Sequence, residues 1–352
     1  MPGTINILTR TATIAALVAA VAACGSAGKN ASPPTTSTAL AGSSTGESSI
    51  PASTVLNVGD QQQRIQTLFK ASGVDNGLPY KINFVQFGSG PLVDAGFAAG
   101  RVDVGFMGDL PAALAVRSGL RVKATAVESL GPELFLVAKP GITSISQLKG
   151  KSVAYTTGTA EQALALRALA TAGLKQSDVR QVDVTLQQLF TVLETGQVDA
   201  SVISLEQQKL YLQQHPDAKV LASNTTVKPP LYTYVLATTA ALGDPGKDAA
   251  MHDFIKRLIE SGHWAASHQS EYATDYLVDV QHETQAEAQL GVSALINNDV
   301  PITAAVQSAL QNVIDLEAGA GAITQSYSVS VLFDPAVSAA YNQILKEMPH
   351  DG

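Results

Sequence analysis

The sequence has little of what metal enzymes, redox proteins and nucleic-acid-binding proteins need. Its 352 residues include one cysteine, Cys24, so no disulfide can form within the chain and no thiolate-rich metal site can be built. A formal net charge of −8 argues against nucleic acid as a partner. The glycine-containing segment 88–90 is neither a full dinucleotide fingerprint nor a phosphate-binding loop. We therefore predict no catalytic residue, no metal and no cofactor.

The position of the single cysteine is more informative about function than the fact that there is only one. Cys24 directly follows an apolar run, residues 12–23, which comes after Arg10. That run is too short to span a bilayer but suits a secretory signal, and the small residues before the cysteine resemble a bacterial lipobox. We predict a signal peptide over 1–23 and a lipidated Cys24. The alternative is an ordinary signal with an incidental cysteine.

The rest of the chain divides by composition and pattern. Residues 24–53 are rich in Ser, Thr, Ala, Gly and Pro and predict a flexible linker. Strands then alternate with helices, which indicates α/β units with mostly parallel sheets. We predict a first lobe over 54–140, a second lobe over 141–231, and a return to the first lobe over 232–352 that ends in helices. The two crossings, near 138–141 and 232–237, would form the hinge.

One short motif occurs twice, once in each predicted lobe. Gly100-Arg101-Val102-Asp103 parallels Gly196-Gln197-Val198-Asp199, and each copy ends a helix and begins a buried strand. A single copy would indicate only an efficient helix-to-strand loop, with glycine allowing the left-handed turn. Two copies predict two similar lobes whose strand ends face each other across a cleft.

At these residues the chain resembles the type II periplasmic solute-binding proteins of ABC transporters, in the branch that takes up aliphatic sulfonates, taurine and nitrate. The most specific match is Gly100 to Pro111, and Val58 to Gln61, Phe84 to Pro91 and Thr156 to Thr159 also match. The resemblance implies an α/β, two-lobed type II periplasmic-binding-protein fold. It also implies a ligand cleft between the lobes and a helical C-terminal extension on the first lobe.

The candidate binding residues lie in loops at strand ends and helix starts. Helix N-termini offer free N–H groups and a positive dipole end, which suit an oxyanion, although such loops also serve as ordinary helix caps. Acidic residues disfavour an anionic ligand, since a carboxylate about 4 Å from an anion costs on the order of 4 kcal/mol. The predicted ligand-binding residues are Gln61, Gly88, Ser89, Gly90, Gly108, Asp109, Glu128, Thr156, Thr157, Thr159 and Glu206.

Glu206 departs from the family pattern. The turn that carries it reads Leu205-Glu206-Gln207, where the family commonly has an aromatic residue followed shortly by proline. A carboxylate here would disfavour a plain anion and favour a ligand that bears an ammonium group. The alternative is a solvated acidic residue at a helix start, where acids are common.

The function expected from these features is solute capture. We predict a monomeric lipoprotein, anchored in the membrane on its extracytoplasmic side, that binds a small organic solute of sulfonate-like or amino-sulfonate type. It would deliver the solute to an ABC permease and its ATPase subunits, with no nucleic acid involved. The alternatives are an enzyme on the same fold, of desulfinase or lyase type, and a ligand-sensing partner of a membrane receptor.

Overall fold

The computed structural model describes residues 50–131 and 133–348. These residues belong to one compact unit that begins at Ser48. The predicted signal peptide, Cys24 and nearly all of the predicted linker lie outside the described residues.

Eleven strands in the described ranges form two separate sheets. The strands are β1 (Val55–Gln61), β2 (Lys81–Phe87), β3 (Val104–Gly108), β4 (Val122–Ser129), β5 (Leu134–Ala138), β6 (Ser152–Ala154), β7 (Arg180–Val182), β8 (Ala200–Ser204), β9 (Lys219–Ser223), β10 (Tyr232–Thr238) and β11 (Asn298–Asp299). The first sheet has the order β11-β4-β10-β3-β1-β2, and the second has the order β7-β6-β8-β5-β9.

Both sheets combine parallel and antiparallel neighbours. In the first sheet, β1 runs parallel to β2 and β3, while β10 is antiparallel to β3 and β4. In the second sheet, β6 runs parallel to β7 and β8, while β5 is antiparallel to β8 and β9. We call the first sheet with its helices the first lobe, and the second sheet with its helices the second lobe.

Twelve α-helices pack around these sheets in the described ranges. They are α1 (Arg64–Ser72), α2 (Gly90–Ala98), α3 (Asp109–Arg117), α4 (Ala160–Thr171), α5 (Leu189–Glu194), α6 (Leu205–Gln214), α7 (Thr239–Gly243), α8 (Pro245–Ser267), α9 (Gln269–Ala273), α10 (Gln285–Gly291), α11 (Ala304–Ala320) and α12 (Pro335–Glu347). Among the described residues, no helix combines the length and the apolar character that crossing a membrane would require.

The predicted boundary between the lobes is wrong at β5. This strand was expected in the first lobe, but Leu134 to Ala138 pairs with β8 on one side and β9 on the other, in the second sheet. The chain therefore crosses between lobes before β5, and it returns between β9 and β10. An apolar strand pattern shows that a strand is buried but not which sheet it joins, since pairing is set by distant residues.

The helical C-terminal part of the chain contacts both lobes, not the first alone. Helix α8 packs on α1 and β1 of the first lobe, and α12 packs on β4. Helix α11 packs on α3 of the first lobe and α4 of the second, and α10 packs on α6 of the second. The C-terminal segment thus connects the lobes on two sides.

The repeated Gly-x-Val-Asp motif has the same structural role in each lobe. Asp103 accepts hydrogen bonds from the backbone and side-chain nitrogens of Asn57, both at 2.9 Å, and from Lys247 Nζ at 2.7 Å. Asp199 accepts from the backbone nitrogen and hydroxyl of Ser152, both at 2.8 Å, and lies 2.6 Å from Lys139 Nζ. Each aspartate therefore joins its own strand start to the neighbouring strand and to a lysine.

Candidate functional site

A cavity of about 490 Å³ lies between the two sheets. Its walls include the last residues of three strands, namely Gln61 of β1, Gly108 of β3 and Ser204 of β8. The C-terminal segment contributes further residues, among them Tyr276 and Asn297. The carboxyl ends of strands from both sheets thus meet at one site, which is where open α/β sheets bind ligands. The volume lies in the range of pockets for small organic molecules.

The structure brings six of the eleven predicted binding residues to this cavity. They are Gln61, Gly90, Gly108, Glu128, Thr159 and Glu206. Two of these side chains are held in place by backbone carbonyls, since Gln61 Nε2 donates to Phe106 O at 2.7 Å and Thr159 Oγ1 donates to Thr156 O at 2.7 Å. That these six residues contact a ligand remains a prediction.

Asp109 is not among the residues that line the cavity, and its carboxylate is used in an ion pair. Its contact with a ligand stays a prediction. Its carboxylate accepts a hydrogen bond from Arg167 Nη2 at 2.7 Å, and both side chains are 2% exposed. Burial raises the pKa of the Asp109 carboxyl, with the Arg167 guanidinium acting in the opposite direction. Since Asp109 begins α3 of the first lobe and Arg167 lies on α4 of the second, this pair joins the two lobes.

Four other predicted binding residues also lie outside the cavity wall. Thr156 Oγ1 donates to Val184 O at 2.7 Å, and Thr157 Oγ1 donates to Asp183 at 2.8 Å, so both hydroxyls are used inside the second lobe. Gly88 and Ser89 precede α2, and Ser89 O accepts from the first turn of that helix. Neither Ser89 nor Thr159 makes a side-chain cap hydrogen bond to its helix, so side-chain capping does not account for these loops.

Sequence reasoning missed most of the charged residues at the cavity. Arg64 follows the turn after β1, and Glu161 lies in the first turn of α4, so both were close to predicted positions. Glu133, Glu283 and Asn297 lie in irregular segments that carry no periodic pattern. Only their position in the folded chain brings them to the site.

The cavity is strongly acidic. Among the described residues that line it, Arg64 is the only base, against one aspartate and the five glutamates at positions 128, 133, 161, 206 and 283. The aspartate, Asp60, is already used as a cap, because its two oxygens accept from the N–H groups of Ile65 and Gln66, each at 3.0 Å.

Burial changes the acidity of the cavity glutamates. It raises the pKa of Glu128 above its usual value, although Asn297 Nδ2 donates to Glu128 Oε2 at 2.9 Å and opposes the shift. Burial likewise raises the pKa of Glu206, while a hydrogen bond from the Ser204 hydroxyl acts to lower it. Burial, with repulsion from Glu206, raises the pKa of Glu283 to about 7.

Polar contacts also join the second lobe to the C-terminal segment. Gln162 Nε2 on α4 donates to Glu317 Oε2 on α11 at 2.8 Å, close to the Asp109–Arg167 pair. On the other side, Lys209 Nζ of α6 donates to Leu290 O of α10 at 2.7 Å. The second lobe is therefore bonded to the C-terminal segment at two places.

Fold and site together define a two-lobed α/β protein with a cavity between the lobes. The chain belongs to the NMT1/THI5-like family, whose profile matches residues 64–272, more than half of the sequence. This family assignment agrees with the resemblance seen in the sequence.

Solved structures share this fold. The periplasmic aliphatic sulphonate binding protein SsuA from Escherichia coli superposes with a TM-score of 0.69 at 22% identity, over 80% of this chain and 92% of that one. The alkanesulfonate-binding protein SsuA from Xanthomonas axonopodis pv. citri, bound to MOPS, gives a TM-score of 0.66 at 20% identity, over 81% and 98%. The desulfurization enzyme DSZB gives 0.58 at 13% identity, over 84% and 99%. At these identities the likeness shows the fold alone.

Curated relatives match a shorter segment. The "Putative aliphatic sulfonates-binding protein" of Escherichia coli (strain K12) is 35% identical over 126 residues, which is 35% of this chain and 40% of that protein. A relative from Brucella abortus (strain 2308), named only as a binding protein, is 31% identical over 117 residues, which is 33% and 36%. The chain thus spans about two fifths of the length of the curated relatives it matches.

Proposed function

We propose that this protein is the solute-binding component of an ABC importer and captures a small organic solute between its two lobes. The observation that carries the proposal is the cavity of about 490 Å³, whose walls come from both lobes and from the C-terminal segment. A ligand that touches both lobes stabilises the closed form, and a permease can distinguish that form from the open one. The named relatives that bind sulfonates support the same role.

The proposal includes a route to the membrane. Cys24 would carry the lipid anchor after removal of residues 1–23, and residues 24–53 would connect the anchor to the first lobe. The chain segments between β4 and β5 and between β9 and β10 would form the hinge, since they are the crossings between the two sheets. The protein would work as a monomer on the extracytoplasmic side, with a permease and an ATPase as its partners.

Ligand-dependent thermal shifts test the capture role. Sulfonates, taurine, nitrate, amines and aromatic acids would each be added to the purified protein, and the melting temperature and any change in the solute would be followed. We expect at least one solute to raise the melting temperature and to be recovered unchanged. A solute that is turned over, with no other solute stabilising the protein, would replace the capture proposal with the enzyme alternative.

A substitution at the cavity wall makes the test specific. A Cβ atom at Gly108 would lie 3.0 Å from the Cβ atom of Ala160 in the opposite lobe, so Gly108→Leu fills space where the lobes meet. We expect this variant to lose the ligand-induced shift. Gly243→Ala is the matched control, because a Cβ atom there has no neighbour within 4 Å and the position is exposed and outside the cavity wall. Equal ligand-induced shifts in both variants would place the binding site elsewhere.

A further inference from the structure

The only base at the described cavity wall is already engaged. Arg64 Nη1 lies 3.6 Å from Glu133 Oε1, and Arg64 Nη2 donates to Leu295 O at 3.3 Å. Burial acts to lower the pKa of Arg64, but attraction by Glu133 and neighbouring groups outweighs it, so the guanidinium stays charged. Little positive charge is therefore left over for an anionic solute.

Two residues of the cavity wall carry an acceptor atom without a partner. Glu283 Oε2 and Asn297 Oδ1 are closed off from solvent and have no hydrogen-bond partner among the described residues, and both residues line the cavity. Asn297 uses its amide nitrogen on Glu128, so the atom left without a partner is its amide oxygen. A buried acceptor without a donor is unfavourable by roughly 1–3 kcal/mol in general, so a side-chain rotation that brings either oxygen to a donor on a ligand would be favoured.

Glu206 belongs to the same wall. A Cβ atom built on Gly291 would lie 2.9 Å from Glu206 Oε2, which shows that this carboxylate of the second lobe reaches α10 of the C-terminal segment. Glu206 also contributes to the raised pKa of Glu283, so the two carboxylates are close enough to repel each other. Two carboxylates that face one cavity across a lobe boundary form a site for a donor group with positive charge.

We propose that the captured solute carries an ammonium or amidinium group, which Glu206, Glu283 and Glu128 recognise through their carboxylate oxygens. This inference rests on the proposed capture function and names the chemical class of the solute. Tyr276 and Phe106, which also line the cavity, provide aromatic surface that suits an organic cation. The cavity of about 490 Å³ has room for an organic molecule attached to the charged group.

Matched pairs of probes test the charge of the solute directly. Taurine would be compared with ethanesulfonate, and 1,4-diaminobutane with 1,4-butanediol, by calorimetric titration of the purified protein at about pH 8. Within each pair the two molecules differ chiefly in the amino groups. We expect the amine to bind at least about tenfold more tightly than its partner in at least one pair.

Three variants locate the recognition. Glu206→Gln and Glu283→Gln should each weaken binding of the amine probe by about tenfold or more, because each removes a negative charge from the wall. Glu287→Gln is the matched control, since Glu287 lies near Glu283 but outside the cavity wall and caps α10 through Thr284. It should change the affinity by less than about threefold.

The pH dependence provides a second readout. Glu283 faces Glu206 of α6 and Glu287 of α10, with Lys209 of α6 also bonded to α10. Arg64 and Glu128 line the same cavity. Because Glu283 loses its proton near pH 7, diamine binding should strengthen as the pH rises from about 6 to about 8.

The outcomes separate this inference from the capture function. If ethanesulfonate binds as tightly as taurine, and Glu206→Gln or a lower pH strengthens its binding, the solute is an anion held by protonated glutamates. The cation inference then fails and the capture function stands. If no probe and no solute of the wider panel binds, the capture function fails and this inference fails with it.

Discussion

Replacing Asp109 by asparagine tests whether this residue holds the lobes together or binds the solute. In the structure it forms an ion pair with Arg167 at 2.7 Å, with both side chains 2% exposed. The substitution leaves a buried guanidinium that keeps one hydrogen bond, from Arg167 Nη1 to Pro229 O at 3.1 Å. Removing one partner of a buried pair typically destabilises a protein by about 3–5 kcal/mol. That is a large part of a total stability of roughly 5–15 kcal/mol.

Urea unfolding followed by circular dichroism measures this change. We expect Asp109→Asn to lower the free energy of unfolding by about 3 kcal/mol or more. The double variant Asp109→Leu, Arg167→Met should be less damaging than the single one, because no buried charge is left without a partner. Asp75→Asn, at an exposed aspartate, is the control and should change stability by less than about 0.5 kcal/mol. A loss of solute affinity with unchanged stability would refute the reasoning and restore Asp109 to the binding site.

Three further predictions concern other parts of the chain. Burial raises the pKa of Glu317, which is 2% exposed, to about 8, so its contribution to stability falls as the pH rises from about 4.5 to about 8. The free energy of unfolding of Glu317→Gln should therefore match that of the parent protein near pH 5 and exceed it near pH 9 by up to about 4 kcal/mol. Equal pH profiles of the two proteins would contradict this. A Cβ atom at Gly105 would lie 2.7 Å from Val93 Cγ1, so Gly105→Val should destabilise by about 2 kcal/mol or more in thermal unfolding. Gly262→Ala, in open space within α8, should be neutral or stabilise the protein by up to about 1 kcal/mol. If Gly262→Ala destabilised the protein more than Gly105→Val does, the close approach at Gly105 would be unimportant. Cys24→Ala should release the protein from the membrane fraction of a cell that expresses it, and a variant that stays with the membrane would rule out the lipid anchor.

The strands and the repeated motif were predictable because their signals are local. The predicted alternation of strands and helices is found from β1 to β4, where one helix separates each strand from the next. In the Gly-x-Val-Asp motif, Gly100 and Gly196 have φ angles of 66° and 71°, which is the left-handed turn that the glycines predicted. Short-range geometry of this kind depends on a few neighbouring residues and can be read from them.

The partners of individual side chains were less predictable, because they are set by distant segments. Asp109 and Arg167 are 58 positions apart, and nothing near Asp109 in the sequence indicates that a guanidinium would reach it from the other lobe. The same applies to β5, whose apolar pattern is compatible with either sheet. Predictions failed where a residue's surroundings come from another part of the chain.

The cavity wall shows most clearly that contacts set by distant segments are hard to predict from the local sequence. Gln61, Gly108 and Glu206 were found because each lies at the end of a strand or the start of a helix. Glu283 and Asn297 come from irregular segments after α9, and their place at the cavity depends on the way the C-terminal segment packs against both lobes. The charge of the site was therefore underestimated from the sequence, which indicated some of its acids but not the whole set.

Four aspartates show how the chain supplies donors to its own carboxylates. Asp60, Asp103, Asp109 and Asp199 are half-buried or buried, and each accepts two or more hydrogen bonds from named donors of the protein. Glu283 has one oxygen closed off from solvent and without a donor, an arrangement shared by Asp94 outside the cavity wall. A folded chain gains no stability from such a group, because burial of an unpaired acceptor opposes folding. At Glu283, unlike at Asp94, the neighbouring cavity offers a source for the missing donor, because a solute bound there can supply it.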